Sequence, residues 1–196
     1  NIVIFGPPGA GKGTQSSFIV KKFKLHQLST GELLRKEINN KTELGQQIDS
    51  IINTGNLVSD NIVSDLIEKY ISNSQYKNRI IFDGYPRNLN QANNLNSLLN
   101  KYDQKIDLVL KLSVSIETIK KRILERKILE KRADDQEEIA IKRYDTYEKN
   151  IDPVISFYKQ SNLLKVVNGE TSISDISDKI SGLIESIKGW LWEIRQ

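Results

Sequence analysis

Short apolar runs alternate along the chain with longer stretches in which apolar residues recur every three to four positions. Ile2–Phe5, Arg79–Asp83, Leu108–Ser113 and Leu164–Asn168 are rich in Ile, Val and Leu and have the length of strands. Helix-like periodicity covers Lys12–Lys24, Thr30–Asn39, Thr42–Asn53, Ser59–Ser72, Leu89–Lys101, Ser115–Glu125, Gln136–Tyr158 and Ser174–Lys188. Ile116, Ile119 and Ile123 fall at i, i+3 and i+7, a stripe that packs inward, while Arg122 and Arg126, four apart, share another face. Near-continuous apolar strands separated by helices predict a parallel sheet covered on both sides, the doubly wound α/β class. A ligand of such a sheet sits outside the carboxyl ends of its strands.

Two stretches read as additions to this pattern. From Ser29 to Val58 two helices follow one another between core elements with no strand between them, opened by Ser29-Thr30-Gly31-Glu32, which fits a capping box. Lys127 to Lys131 reads as a short charged link between two helices. Both tryptophans stand in Gly189-Trp190-Leu191-Trp192, where terminal packing is the simplest role.

Composition narrows the function. At 196 residues the chain has the size of one domain, typically ~100–200 residues. No run approaches the ~18 apolar residues of a membrane span, and Ile2–Phe5 has no basic region before it, so neither a span nor a secretion signal is read and the cytoplasm is the expected compartment. The absence of Cys excludes disulfides, thiolate-bound zinc and a cysteine nucleophile, and the single His26 argues against a multi-histidine metal site or a Ser-His-Asp triad. A net charge of +4, from 29 basic and 25 acidic residues, suits a small polyanion and is too little to imply nucleic acid.

Gly6-Pro7-Pro8-Gly9-Ala10-Gly11-Lys12-Gly13-Thr14 follows the first strand and opens the first helix. A phosphate chain needs backbone N–H groups converging on it, a helix N-terminus and a full positive charge, and this order supplies all three. Gly6, Gly11 and Lys12 meet G-x-x-x-x-G-K, although Gly13 takes the usual Ser/Thr place and Thr14 comes one later. A bare glycine turn is the competing explanation, and the strand-loop-helix context weighs against it. Asp83, ending an apolar strand, is placed to hold magnesium beside phosphates, often through water; alone it would read as the cap of the next helix.

Eight basic residues are Arg and twenty-one are Lys, yet Arg35, Arg87, Arg122, Arg126, Arg132 and Arg143 gather around these motifs. A solvated charged face is the ordinary meaning of such a run. The selective use of Arg points instead to its planar fork, which grips phosphate oxygens bidentately. Asp134 and Asp135 each precede a Glu by three residues, so capping accounts for at least one of them, and the other is free to orient arginines.

These residues resemble the motifs of the adenylate kinase family in order and spacing: GPPGAGKGTQ, Ser29-Thr30-Gly31-Glu32-Leu33-Leu34-Arg35, Gly55-Asn56-Leu57-Val58, Asp83-Gly84-Tyr85-Pro86-Arg87 and Arg132-Ala133-Asp134-Asp135-Gln136-Glu137, over Ile2 to about Ile187. The resemblance implies a P-loop NTPase fold with a CORE (1–28, 59–124, 136–196), a helical AMP-binding insert (29–58) and a short LID (125–135). It implies reversible transfer of the ATP γ-phosphoryl to AMP, with Mg2+ and without zinc, giving two ADP, in a monomer that binds neither nucleic acid nor membrane. By resemblance, Gly9, Ala10, Gly11, Lys12, Gly13 and Thr14 wrap the ATP phosphates, Arg122 and Arg126 serve ATP, and Thr171 lies near its adenine. Thr30, Arg35, Asn56, Leu57, Val58, Gly84, Tyr85, Pro86, Arg87 and Gln91 look like the AMP site, to which Arg132 and Arg143 add the pair that closes over the moving group. Lys12, Arg87, Arg122, Arg126, Arg132 and Arg143 are thereby the catalytic set, in a reaction that a protein accelerates by positioning and charge neutralisation.

There are departures. The five residues between Arg126 and Arg132 contain no glycine, unlike the usual short lid, and Asn88 resembles the turn of UMP/CMP kinases. Thr30 and Gln91 follow the adenylate pattern, and a glutamine amide offers an adenine edge one donor and one acceptor. A UMP/CMP kinase is therefore the nearest alternative. A GTPase has a literal N-K-x-D in Asn100-Lys101-Tyr102-Asp103, but it follows helix-like sequence and no D-x-x-G occurs.

Overall fold

The computed structural model describes residues 1–130 and 136–187. Arg132 to Asp135 and the tryptophan-bearing tail lie outside the described residues.

Five strands, β1 (Ile2–Phe5), β2 (His26–Ser29), β3 (Ile80–Asp83), β4 (Leu108–Ser113) and β5 (Leu164–Asn168), form one sheet in the order β2-β3-β1-β4-β5. Every pairing is parallel, with Ile2 opposite both Ile81 and Leu108. Helices α1 (Lys12–Phe23), α2 (Thr30–Asn39), α3 (Glu43–Asn53), α4 (Asp60–Ile71), α5 (Leu89–Lys101), α6 (Ile116–Glu130), α7 (Glu137–Gln160) and α8 (Ile173–Glu185) surround it.

The period of two in the strands divides the core into two layers. Ile2 and Ile4 of β1 join Ile81 and Leu110 beneath α1 (Ile19, Phe23) and α8 (Ile176, Ile180, Ile184). Val3 and Phe5 face the other way, joining Phe82 and Val109 beneath α4 (Ile67, Ile71), α5 (Leu95, Leu99) and α7 (Val154, Tyr158). The chain therefore leaves β1 for one face and the adjacent β3 for the other, and the diverging loops open a crevice at the carboxyl ends of the central strands.

Two sequence expectations change. The strand β2 had no counterpart among the apolar runs: His-Gln-Leu-Ser has one apolar residue, Leu28, and as an edge strand it needs no more, since only Leu28 is fully buried. It runs directly into α2, where Ser29 Oγ accepts from the Glu32 amide at 3.4 Å, the forward half of the expected capping box. The second change is that α6 continues to Glu130, so the stretch from Lys127 begins as helix rather than link. Its stripe is also narrower than expected, because Ile119 and Ile123 are buried against Ala140 of α7 while Ile116 and Ile128 are exposed.

Candidate functional site

The glycine loop leaves β1 and folds back on itself, with the Ala10 amide donating to the Pro7 carbonyl at 3.1 Å. At Gly9, φ is +85° and an added Cβ would lie 3.0 Å from Ile123 and 3.2 Å from the Ile119 carbonyl, so glycine is required both by conformation and by the approach of α6. The loop ends at Gly11, also left-handed, and α1 begins at Lys12, its first residues Lys12, Gly13 and Thr14 lining the crevice. Lys12 Nζ donates to the carbonyls of Gly6 (2.7 Å) and Pro7 (3.0 Å). Burial of the ammonium lowers its pKa from 10.5 to about 8; Asp83 opposes that shift, whereas Arg87, Arg143 and Arg126 add to it. Three arginines from three separate elements thus converge with Lys12 on one cationic site.

Arg122 fastens the loop from the side. Its guanidinium donates to the Ala10 carbonyl at 3.2 Å and to the Gly169 carbonyl at 2.8 Å, tying α6 to the loop and to the end of β5. Asp83 closes β3, opposite Ile4 of β1 and Ser29 of β2, and is almost fully buried. Gln27 Nε2 donates to its Oδ2 at 3.0 Å.

A second group forms at the turn after β3. Gly84, at φ +77°, offers its carbonyl to Thr30 Oγ1 (3.0 Å) and to Arg87 Nε (2.7 Å). A Cβ there would stand 3.3 Å from both Arg87 Nη2 and Thr30 Oγ1, so any side chain would intrude between the two donors. Asn88 caps α5 by accepting from the Gln91 amide at 2.8 Å. Gln91 Oε1 accepts from the Arg87 amide at 2.7 Å, and Gln91 Nε2 donates to Asp60 Oδ1 at 2.7 Å. Arg35, one turn into α2, lays its guanidinium over Gly31.

The glycine loop, Asp83, the Thr30–Gly84–Arg87–Gln91 group and the arginines of α2, α6 and α7 line one cleft of about 810 Å³, within the ordinary range for a small-molecule site. Every expected site residue within the described residues lines it except Thr171, which is exposed two residues before α8 while Ile173 and Ile176 of that helix reach the cleft. Leu34, Ile52, Leu57, Val58 and Val63 give the Thr30–Gln91 end apolar walls, fit for a ring system. Tyr147, one helical turn beyond Arg143, was not anticipated; the i, i+4 spacing on α7 was the available signal. His26 packs against Tyr76 in a tilted pair with ring centroids 4.5 Å apart, away from the cleft. Asn100 to Asp103 close α5, where Lys101 pairs with Glu68, so the N-K-x-D letters belong to a helix end and not to a base pocket.

A family model described as adenylate kinase matches residues 4–163. The chain belongs to the adenylate kinase family. An adenylate kinase of Pelagibacter ubique (strain HTCC1062) is 43% identical over 211 aligned positions, covering 94% of this chain and 99% of that relative. The adenylate kinase of Porphyromonas gingivalis (strain ATCC 33277) is 39% identical over 96% of this chain and 97% of its own length, and that of Flavobacterium psychrophilum is 38% identical over 95% and 99%. Membership in the adenylate kinase family makes the chain a nucleotide-binding phosphotransferase, in keeping with a cleft that offers cations and backbone amides and no histidine base. No helix among the described residues is long and apolar enough to cross a membrane.

Proposed function

We propose that the cleft transfers the γ-phosphoryl of ATP to AMP, reversibly, giving two ADP. The observation that carries this reading is the union, in one cavity, of the Lys12 loop with the Thr30–Gly84–Arg87–Gln91 group. The loop amides of Gly9 to Thr14 and the N-terminus of α1 receive the ATP phosphates, and Lys12 exchanges its two carbonyl partners for phosphate oxygens. Arg122 and Arg126 reach ATP from α6. Arg35 and Arg87 hold the AMP phosphate, and the apolar walls with Thr30 and Gln91 hold its base. Arg143, with Arg132 from beyond the described residues, neutralises the group in flight. Attack and departure are both by anionic oxygen, so what these groups contribute is alignment and charge compensation.

Asp83 would hold Mg2+, which arrives with the nucleotide and neutralises charge on its phosphates. The donor set fits: a single carboxylate at the loop, with one oxygen accepting from Gln27, suits a hard cation that takes its other ligands from phosphate and water. The division into CORE, AMP-binding insert at 29–58 and short LID at 125–135 belongs to the same reading. It is supported by the helical pair α2 and α3, which brings Thr30, Arg35 and Ile52 to the cleft. We also infer a monomer acting in the cytoplasm, as befits an enzyme with both substrates in one chain's cleft. Asn88 is occupied with capping α5 and with Asp60, so its likeness to UMP/CMP kinases has a structural cause and it does not itself line the cleft. A coupled assay with ATP, magnesium and AMP, CMP or UMP as acceptor tests the proposal: AMP is expected to dominate, and equal use of a pyrimidine nucleotide would overturn it.

A further inference from the structure

Gln91 is 2% exposed, and both ends of its amide are already engaged inside the protein. The Arg87 amide can only donate and the Asp60 carboxylate only accepts, so together they fix which end of the side chain is oxygen and which is nitrogen. Asp60 itself does not line the cleft. It stands behind Gln91 at the first residue of α4, and is oriented by Asn88 Nδ2, which donates to its two oxygens at 3.0 and 3.3 Å.

We propose that Asp60 is a specificity-determining positioning residue: by holding the Gln91 amide in one orientation it makes the acceptor site read a 6-amino purine and reject a 6-oxo purine. The proposal rests on the assignment of Gln91 to the base of AMP. After its two internal bonds the amide keeps one N–H and one oxygen lone pair for the ligand. Adenine presents an acceptor, N1, beside a donor, the 6-amino group, and matches that pair. Hypoxanthine presents a donor, N1–H, beside an acceptor, O6, and matches only a turned amide. Turning it would set Gln91 Oε1 against the Asp60 carboxylate and Nε2 against the Arg87 N–H, two like-for-like contacts in a buried site. An unanchored amide would turn and read either base. Asp60 therefore makes a two-way reader one-way.

Asp60→Asn keeps the shape but lets residue 60 donate as well as accept, which relieves one of the two mismatches. The ratio of kcat/KM for AMP to that for inosine monophosphate is expected to fall at least tenfold, chiefly through better use of inosine monophosphate. Gln91→Met should collapse the same ratio. Ser64→Ala is the structural control, because it removes the Asn94–Ser64 hydrogen bond at the same α4–α5 junction without touching Gln91, and should leave the ratio as it is. An unchanged ratio in Gln91→Met would show that Gln91 does not read the base, and both readings would fall. A collapse in Gln91→Met with no change in Asp60→Asn would overturn the role of Asp60 alone. An equal fall in Ser64→Ala would assign the effect to loosening of the junction and likewise overturn it.

Discussion

Lys12 shows how a single residue ties the fold to the chemistry. Its pKa of about 8 is the consequence of enclosing an ammonium beside three arginines with only Asp83 in opposition. The unfolded chain holds this proton up to about 10.5 and the folded chain only up to about 8, so between those values the unfolded state binds more protons and stability rises with pH. The destabilisation is thus fully present below pH 8 and is relieved as Lys12 discharges. Nucleotide binding runs the opposite way, since phosphate favours the charged form. ATP binding near pH 9 is expected to take up a proton, visible by calorimetry in buffers of different ionisation enthalpy, and its affinity should fall as pH rises beyond 8. Proton uptake that persists in Lys12→Met would assign it to another group. Arg143 makes a complementary case, for its charge alone does not explain why this lysine-rich chain uses Arg. If it clamps the transferred group, Arg143→Lys should lower kcat at least ~tenfold, about 1.4 kcal/mol, with the Tm little changed. Lys165→Arg, on the exposed edge strand β5, should alter neither. Normal turnover in Arg143→Lys would return this arginine to a solvated face.

At the scale of elements, legibility followed burial. The strands β1 and β3, buried along their whole length, had to be nearly all apolar and so announced themselves. The edge strand β2 buries only Leu28 fully and left no periodic trace; the end of α6, with Ile128 exposed, was indistinguishable from a charged link. The glycine loop, Asp83 and the Thr30 and Gln91 positions were legible because their chemistry dictates both residue type and order. Asp60 was not, since an acid in the first turn of a helix already has an ordinary explanation in the helix dipole. Gly45 was equally silent, although it governs the insert. A Cβ there would lie 2.1 Å from the Glu37 carbonyl oxygen, so α2 and α3 can pack this closely only with glycine at the crossing. Gly45→Ala must push the two helices apart, at a cost of roughly 1–3 kcal/mol. The pair carries Thr30, Arg35 and Ile52 to the cleft, whereas the glycine loop stands on β1 and α1. The KM for AMP should therefore rise several-fold while that for ATP stays constant, as separate titrations of the two substrates would show. Parallel rises in both would mean that the insert and the loop are mechanically one unit.

The whole molecule brings these elements to one place because α1 and α5 leave neighbouring strands for opposite faces of the sheet. The crevice that results receives the glycine loop from β1, the Gly84 turn from β3 and arginines from α6 and α7, and the same cleft of about 810 Å³ contains both proposed nucleotide positions. Two nucleotides held end to end differ from one long ligand only by a covalent link. Two adenosines joined through a polyphosphate should accordingly occupy the cleft once per chain and compete with ATP and with AMP alike. Such a ligand would also avoid the loss of translational freedom of a second binding event, so its affinity should exceed that of either substrate. A ligand at one thousand times its dissociation constant adds about 4 kcal/mol to folding stability, enough to raise the Tm by several degrees. Titration calorimetry should give one site per chain, and initial-rate kinetics should give competition with each substrate. Two sites per chain, or competition with ATP alone, would separate the two positions and refute a single cleft shared by donor and acceptor.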